Sequence, residues 1–361
     1  MTNNTEGRAC KKIVFVSMTN MMGGAENVLH MLAKTQDSPI VFIKQLLHST
    51  IRTEVSKVKY LTRGPMFLGF VKVIAGVYEF RNDHILFSTH PYLNAWLGVL
   101  KRLGYINSAL IVRECSCVFT RYSGLKKLSY QFAYRLGYSG ADLVICQTVT
   151  MRNQLLHFNK FLNGRKVVVQ GNPVDLERMS RNEPNLISEQ FSDGNFICSA
   201  GRLISIKGFH VLIQAFSKIA SEYKHLKLLI LGSGEEDSKL SRQIRDSGLE
   251  GQVFLLGHIE NPFPFYAKAR ACVVSSIKEG FPNVLLEMMA LNPRVVTTLC
   301  AGGIDLIPSV IKCNVNDIEA LANAIRTALD ESNELTLEAS KAYIKDRTPE
   351  TYVGSFLAKL N

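Results

Sequence analysis

No stretch of the 361-residue chain reaches the ~18–20 uninterrupted apolar residues that cross a bilayer. The nearest approach, residues 65–80 (PMFLGFVKVIAGVYEF), is broken by Lys72 and Glu79. It reads as an amphipathic helix packed on a sheet, with a second reading in which its exposed end dips into a membrane surface. A Gly-x-Gly-x-x-Gly fingerprint and a Gly-Lys-Ser/Thr phosphate loop are both missing, which removes most of the case for hydride transfer and NTP hydrolysis. Of the 8 cysteines only Cys115 and Cys117 lie close together, and no second pair has metal-ligand spacing, so no metal is expected. Cys146, Cys198 and Cys272 sit in apolar runs of strand type and read as buried reduced thiols. The first 12 residues lack the apolar core of a signal peptide. These features together predict a cytoplasmic protein. No Ser/His/Asp or Cys/His arrangement suggests an enzyme nucleophile.

What is present is an ordinary globular composition, 47% hydrophobic and 20% charged, with an uneven charge distribution. Residues 1–180 hold 23 basic and 10 acidic side chains; residues 181–361 hold 19 and 21. The whole excess of +11 therefore comes from the first half, which is expected to face something anionic, the alternative being charge that serves only solubility. Nucleic acid is a poor partner, because the basic residues are dispersed and no DNA- or RNA-binding module is visible. An anionic membrane surface fits better.

Short β-rich runs alternate with helical patterns throughout. The runs at 12–17, 40–46, 84–89, 109–114, 143–147 and 166–170 form one series. A polar stretch at 178–193 separates them from a second series at 195–200, 226–231, 252–256, 271–275 and 294–298. This βαβ grammar predicts an α/β protein with two doubly wound parallel sheets. The expected divisions are 1–177, 178–345 and a terminal helix at 346–361 that can cross back to the first domain. Ligands of such sheets gather at the carboxyl ends of the strands.

Three strand ends carry the chemistry. Residues 278–287 (KEGFPNVLLE) follow the run at 271–275. Gly280 permits a tight turn and Pro282 suits a first helical turn, whose free N–H groups can hold a phosphate. Glu279 and Glu287 flank that turn, and a carboxylate can accept paired hydrogen bonds from a ribose or pyranose diol. In the alternative, Glu279 only caps the helix and Glu287 is only solvated. Residues 199–208 (SAGRLISIKG) place the planar fork of Arg202 and the point charge of Lys207 after Gly201, the cationic pairing a pyrophosphate needs. Gly232 and Gly234 would let a base or ribose approach the backbone. Gly23 and Gly24, before a helix start, form a small nest for an anion or a sugar oxygen.

In this order the motifs resemble family 4 of the retaining glycosyltransferases, the group-1 glycosyl transferases with the GT-B fold. The resemblance covers most of the chain and is clearest over 194–298: GRL and KG within 201–208, LGSG at 231–234, VFLLG at 253–257, and the glutamates of EGFPNVLLE. In the first half it rests on GGAE at 23–26, ADLVI at 141–145 and VQGNPVD at 169–175. It implies two Rossmann-like domains facing across a cleft, an acceptor-binding one followed by a nucleotide-sugar-binding one. The implied activity is retaining transfer from a UDP-sugar, with a GDP-sugar as the alternative. The implied acceptor is lipid-linked, or a surface polysaccharide or lipopolysaccharide, and the setting is the inner face of the cytoplasmic membrane, where the protein would be peripheral. No metal or other cofactor is implied.

Carried over by position, Arg202 and Lys207 would bind the donor diphosphate, Glu287 the ribose hydroxyls, and Glu279 the transferred sugar near its anomeric centre. The backbone from Gly280 through Phe281, Pro282, Asn283 and Val284 would contact sugar and phosphate, with Gly23 and Gly24 approaching from the other domain. Two positions depart from the family. Glu114 stands where many relatives have a histidine, so either Glu114 or Arg113 substitutes there or the role is reduced, with His90 a further candidate. Asp305 stands where relatives often have glutamate. Lys126, Lys127 and Arg135, around Tyr130 and Tyr134, are expected on the acceptor side, at an anionic lipid interface, the alternative being a solvated outer helix. A catalytically silent membrane-docking or assembly partner of the same fold, and a sugar-nucleotide epimerase, are the competing readings.

Overall fold

The computed structural model describes residues 12–21, 23–46, 55, 57–181, 187–330 and 337–360. The N-terminal segment, and part of the polar stretch expected to link the domains, lie outside these. The chain divides into two compact units, residues 1–173 with 349–361, and residues 174–348.

The first unit has a seven-stranded sheet: β1 (Lys12–Thr19), β2 (Ile40–Lys44), β3 (Val58–Thr62), β4 (His84–Ser88), β5 (Ala109–Glu114), β6 (Leu143–Cys146) and β7 (Val167–Val169). Their spatial order is β3-β2-β1-β4-β5-β6-β7, and every pairing is parallel. Its helices are α1 (Gly24–Thr35), α2 (Met66–Gly76), α3 (Pro91–Arg102), α4 (Val118–Arg121), α5 (Gly124–Gly137) and α6 (Val149–Phe158). The second unit has β8 (Phe196–Ala200), β9 (Lys227–Leu231), β10 (Val253–Leu255), β11 (Ala271–Val274), β12 (Val295–Thr298) and β13 (Ile311–Cys313), in the parallel order β10-β9-β8-β11-β12-β13. Its helices are α7 (Leu176–Ser180), α8 (Phe209–Ile219), α9 (Asp237–Asp246), α10 (Phe263–Lys268), α11 (Asn283–Leu291), α12 (Ile318–Leu329) and α13 (Leu337–Ile344).

Both sheets are covered on both faces, so their central strands are mainly apolar and successive side chains feed different cores. Val14 and Val16 of β1 pack with α2, α3 and α5, whereas Ile13 and Phe15 pack with α1. In the second sheet Leu228 and Ile230 point into the layer of α8 and α12, while Leu229 and Leu231 point to that of α10 and α11. Strands β3 and β13 add edges that the sequence pattern did not suggest. Each is short and only partly buried, so neither shows a continuous apolar run.

Two packing features fix the first unit. A Cβ on Gly98 would lie 2.0 Å from the Gly137 carbonyl oxygen, and one on Gly137 only 1.9 Å from that of Ala95, so α3 and α5 meet backbone to backbone. The last helix, α14 (Pro349–Leu360), lies in this unit despite its position in sequence. Tyr352, Val353 and Phe356 enter the core beneath α1, and the rings of Phe87 and Phe356 are 5.4 Å apart. Gln170 Nε2 donates to the Tyr352 carbonyl at 2.7 Å, and Lys166 Nζ donates to that of Leu360 at 3.0 Å.

The chain has a single tryptophan, Trp96 on α3, so its fluorescence reports the first unit alone. Phe356→Ala should destabilise that unit by about 3–5 kcal/mol. Urea unfolding followed at Trp96 measures this, and an unchanged midpoint would mean that α14 is not part of the unit's core.

Candidate functional site

The carboxyl ends of β8, β9, β11 and β12 bring most of the sequence-selected residues of the second unit together. Lys207 ends a tight turn, Ser205–Lys207, and Gly208 follows in the left-handed region (φ 67°) to open α8. A Cβ on Gly208 would stand 2.1 Å from the Ser275 carbonyl oxygen, which explains why this turn can lie against the end of β11. The contact is closed by Ser275 Oγ donating to the Lys207 carbonyl at 3.0 Å and by Ile277 N–H donating to that of Ile206 at 2.8 Å.

Across this seam Lys207 Nζ donates to Glu279 Oε1 at 2.5 Å, with the two side chains 19% and 18% exposed. Ser276 Oγ donates to the same oxygen at 2.9 Å, and the Glu279 amide donates to the Cys300 carbonyl at 2.8 Å. Glu279 is therefore tied to β8, β11 and β12 at once. Beyond it Pro282, which supplies no side-chain cap, leads into α11, whose N-terminal turn is electropositive. Glu287, half-buried one turn further, has its carboxyl pushed up to about 7 by burial, with Arg178 and Lys207 opposing the shift. Arg202 leaves the same loop into solvent, next to Gly201.

The glycines of this region are packing requirements. Gly232 has φ 147°, and a Cβ there would lie 1.8 Å from the Gly201 carbonyl oxygen; one on Gly234 would lie 2.4 Å from that of Leu203. The strand-end loops after β8 and β9 are thus pressed together, and the Gly232 amide donates to the Gly257 carbonyl at 2.7 Å. Side chains cannot intervene, which leaves backbone at the surface beside the cations. Asp305, further along, has its carboxylate accepting from the Gly303 amide at 3.1 Å.

The first-unit candidates are arranged differently. Gly23 caps α1, and a Cβ on it would come within 2.6 Å of Glu26 Oε2, so a carboxylate already lies at that helix end. Glu114 does not reach a substrate surface. It is buried beneath α5, where Tyr134 donates to one carboxylate oxygen at 2.6 Å and Tyr138 to the other. Arg113, the preceding residue, points to the opposite face of the sheet and is fully buried. Its guanidinium donates to Asn172 Oδ1 at 2.7 Å and Cys115 Sγ at 3.0 Å. Of the two alternatives for this position, the enclosure of both side chains fits a reduced role rather than substitution by either. His90 caps α3 through its backbone, and burial lowers its pKa. Lys126 is exposed on α5, with Nζ 4.0 Å from the Tyr122 ring centre, and Lys127 lies 4.6 Å from that of Phe158. Tyr130 and Tyr134 face inward, contrary to the expectation that they present an interface.

Sequence reasoning passed over Ser276, which orients Glu279, and Arg178, whose charge acts on Glu287. Ser276 stands immediately before the motif and could have been included; Arg178 lies in a polar stretch with no distinguishing pattern.

Residues 194–331 match the family model described as glycosyl transferases group 1. All of the second-unit site except Arg178 falls inside that span. An uncharacterized glycosyltransferase of Methanocaldococcus jannaschii is 35% identical over 204 residues, covering 54% of this chain and 48% of the relative. The N-acetylgalactosamine-N,N'-diacetylbacillosaminyl-diphospho-undecaprenol 4-alpha-N-acetylgalactosaminyltransferase of Campylobacter jejuni is 30% identical over 205 residues, covering 56% of this chain and 54% of the relative. The chain thus spans about half the length of these two curated relatives. The lipopolysaccharide core biosynthesis glycosyltransferase LpsE of Rhizobium meliloti is 28% identical over 252 residues, covering 67% of this chain and 69% of the relative. Among solved structures, Anabaena HepE in complex with UDP-glucose superposes with a TM-score of 0.80 at 19% identity, covering 97% of this chain and 99% of that one. The fold is GT-B, two Rossmann-like α/β domains.

Glu114 supplies a test that is independent of any ligand. Burial pushes its carboxyl up from 4.5 to about 7, against the opposing pull of the two tyrosine hydroxyls. Because the folded pKa lies above the unfolded one, the stabilisation is complete below about 4.5 and is lost as pH rises through about 7. At ~1.4 kcal/mol per pKa unit the wild type should lose about 2–3 kcal/mol across that window relative to Glu114→Gln. Trp96-detected unfolding of both proteins from pH 4.5 to 8 measures the difference; parallel curves would show that Glu114 ionises freely.

Proposed function

We propose that the protein is a retaining, metal-independent glycosyltransferase. It moves a sugar from a UDP-sugar, with a GDP-sugar as the alternative, to a lipid-linked or surface-polysaccharide acceptor. The observation that carries this reading is the convergence of Lys207, Glu279 and the N-terminal turn of α11 at one set of strand ends, with Glu287 a turn away. The match of that segment to the glycosyl transferases group 1 model supports it, as do relatives named for transfer to a diphospho-undecaprenol saccharide and for lipopolysaccharide core synthesis.

The chemistry follows from the charges. As the bond between the anomeric carbon and the phosphate oxygen breaks, negative charge grows on the diphosphate. Lys207, Arg202 and the α11 amides are the groups that stabilise it. The acceptor hydroxyl oxygen bonds to the same face of the anomeric carbon, and its proton passes to the departing phosphate oxygen, so configuration is retained without an enzyme nucleophile. Glu279, fixed by Lys207 and Ser276, accepts hydrogen bonds from hydroxyls of the transferred sugar. Glu287 accepts from the ribose diol, for which its ionised form is the better acceptor.

Purified protein incubated with UDP-, GDP- and ADP-sugars and a membrane lipid extract should transfer sugar, or hydrolyse its donor slowly, with one of them. Lys207→Ala should lower that rate by about 10²–10³-fold and Glu279→Ala by a similar factor. Absence of transfer and hydrolysis with every donor, together with no UDP or GDP binding by calorimetry, would instead favour a catalytically silent protein.

A further inference from the structure

Helices α2, α3 and α5 form one layer on the first sheet. Trp96 Nε1 of α3 donates to the Phe70 carbonyl of α2 at 3.0 Å. On the other side of α3, Tyr92 and Ser129 share a hydrogen bond of 2.7 Å, and Arg102 donates to the Leu136 carbonyl at 2.6 Å. The outer surface of this layer is apolar where a solvated surface would be polar. Phe67, Leu68 and Val71 of α2 are exposed, as are Leu125, Leu128, Phe132 and Leu136 of α5. Leu125 is 86% exposed and Phe67 and Phe132 are each 66% exposed. The α5 residues recur at helical spacing and so form one continuous stripe. By contrast, the outward positions of α8 in the second unit are Gln214, Ser217 and Lys218.

The charges carried by these helices have one sign, and the neighbouring acids Glu79 and Asp142 are each paired with a lysine, Lys59 and Lys101. The sequences of α2, α3 and α5 contain no aspartate or glutamate, and they carry Lys72, Lys101, Arg102, Lys126, Lys127 and Arg135. A second copy of the chain presenting this same face would set cation against cation. We infer that the outer face of α2 and α5 is a docking surface for an anionic lipid bilayer. The phenylalanines and leucines enter the acyl boundary, and the long cationic side chains reach the headgroup phosphates. This inference stands on the surface alone and needs no assignment of the reaction.

The test is flotation of the full chain with phosphatidylglycerol vesicles and with phosphatidylcholine vesicles at low and high salt. Quenching of Trp96 by brominated acyl chains gives a second readout. Binding to phosphatidylglycerol that weakens with salt is expected. The Phe67→Ser, Phe132→Ser double variant should partition at least about tenfold more weakly, and Lys126→Glu with Arg135→Glu should lose the preference for the anionic lipid. Circular dichroism of each variant should match the wild type. The inference is overturned by absence of binding at low salt, by equal binding to both lipids, or by variants that bind as well as the wild type. It is likewise overturned if the double variant abolishes self-association in ultracentrifugation without changing vesicle binding. No sugar nucleotide enters the experiment, so its failure is separate from failure of the transferase reading.

Discussion

An ammonium and a carboxylate held 2.5 Å apart, each mostly buried, are costly to desolvate and worth that cost only if their partners are fixed. In the second unit Lys207 and Glu279 meet this condition through backbone. The turn bearing Lys207 is held to β11 by Ser275 and Ile277, and Glu279 is held to the loop after β12 through the Cys300 carbonyl. Gly208, Gly232 and Gly234 stand where a Cβ would force these loops apart. Removing either charge leaves the other buried without its counterion. The pair therefore links the stability of the strand ends to the electrostatics at the N-terminal turn of α11.

The first unit handles buried charge in another way. Arg113 and Glu114 are neighbours on one strand, so alternation sends them to opposite faces and they cannot neutralise each other. Glu114 is met by two tyrosine hydroxyls, Tyr134 of α5 and Tyr138 just after it, which favour its charged form but do not overcome burial. Arg113 faces the side where α14 packs, with Asn172 and Cys115 as its hydrogen-bond partners. The same helix α5 that buries Tyr134 toward Glu114 turns Leu128 and Phe132 outward, so one helix both helps satisfy an interior acid and forms an apolar surface.

Much of this was legible in the sequence, for physical reasons. Parallel strands covered on both faces need continuous apolar runs, and those runs placed eleven strands near their observed positions. The edge strands β3 and β13 escaped because they are half-buried and each is interrupted by a lysine, Lys59 and Lys312. The second-unit site was legible because glycine, proline and charge are clustered within short segments after strands, where local spacing fixes geometry. The first-unit residues were not, because the orientation of Glu114 is decided by Tyr134 and Tyr138, about 20 residues away, and by the glycine contact that brings α5 close to α3. The direction of α5 was misread for a related reason: its tyrosines resemble interfacial aromatics, yet its leucines are what it exposes.

The central claim is that Lys207, Glu279, Glu287 and the first turn of α11 act on one small molecule. Hydrogen–deuterium exchange of the protein with and without saturating UDP tests it most directly. Slowed exchange confined to amides in 201–208, 232–234 and 280–287 is the predicted result. Protection absent from those segments, or found only elsewhere in the chain, would contradict it.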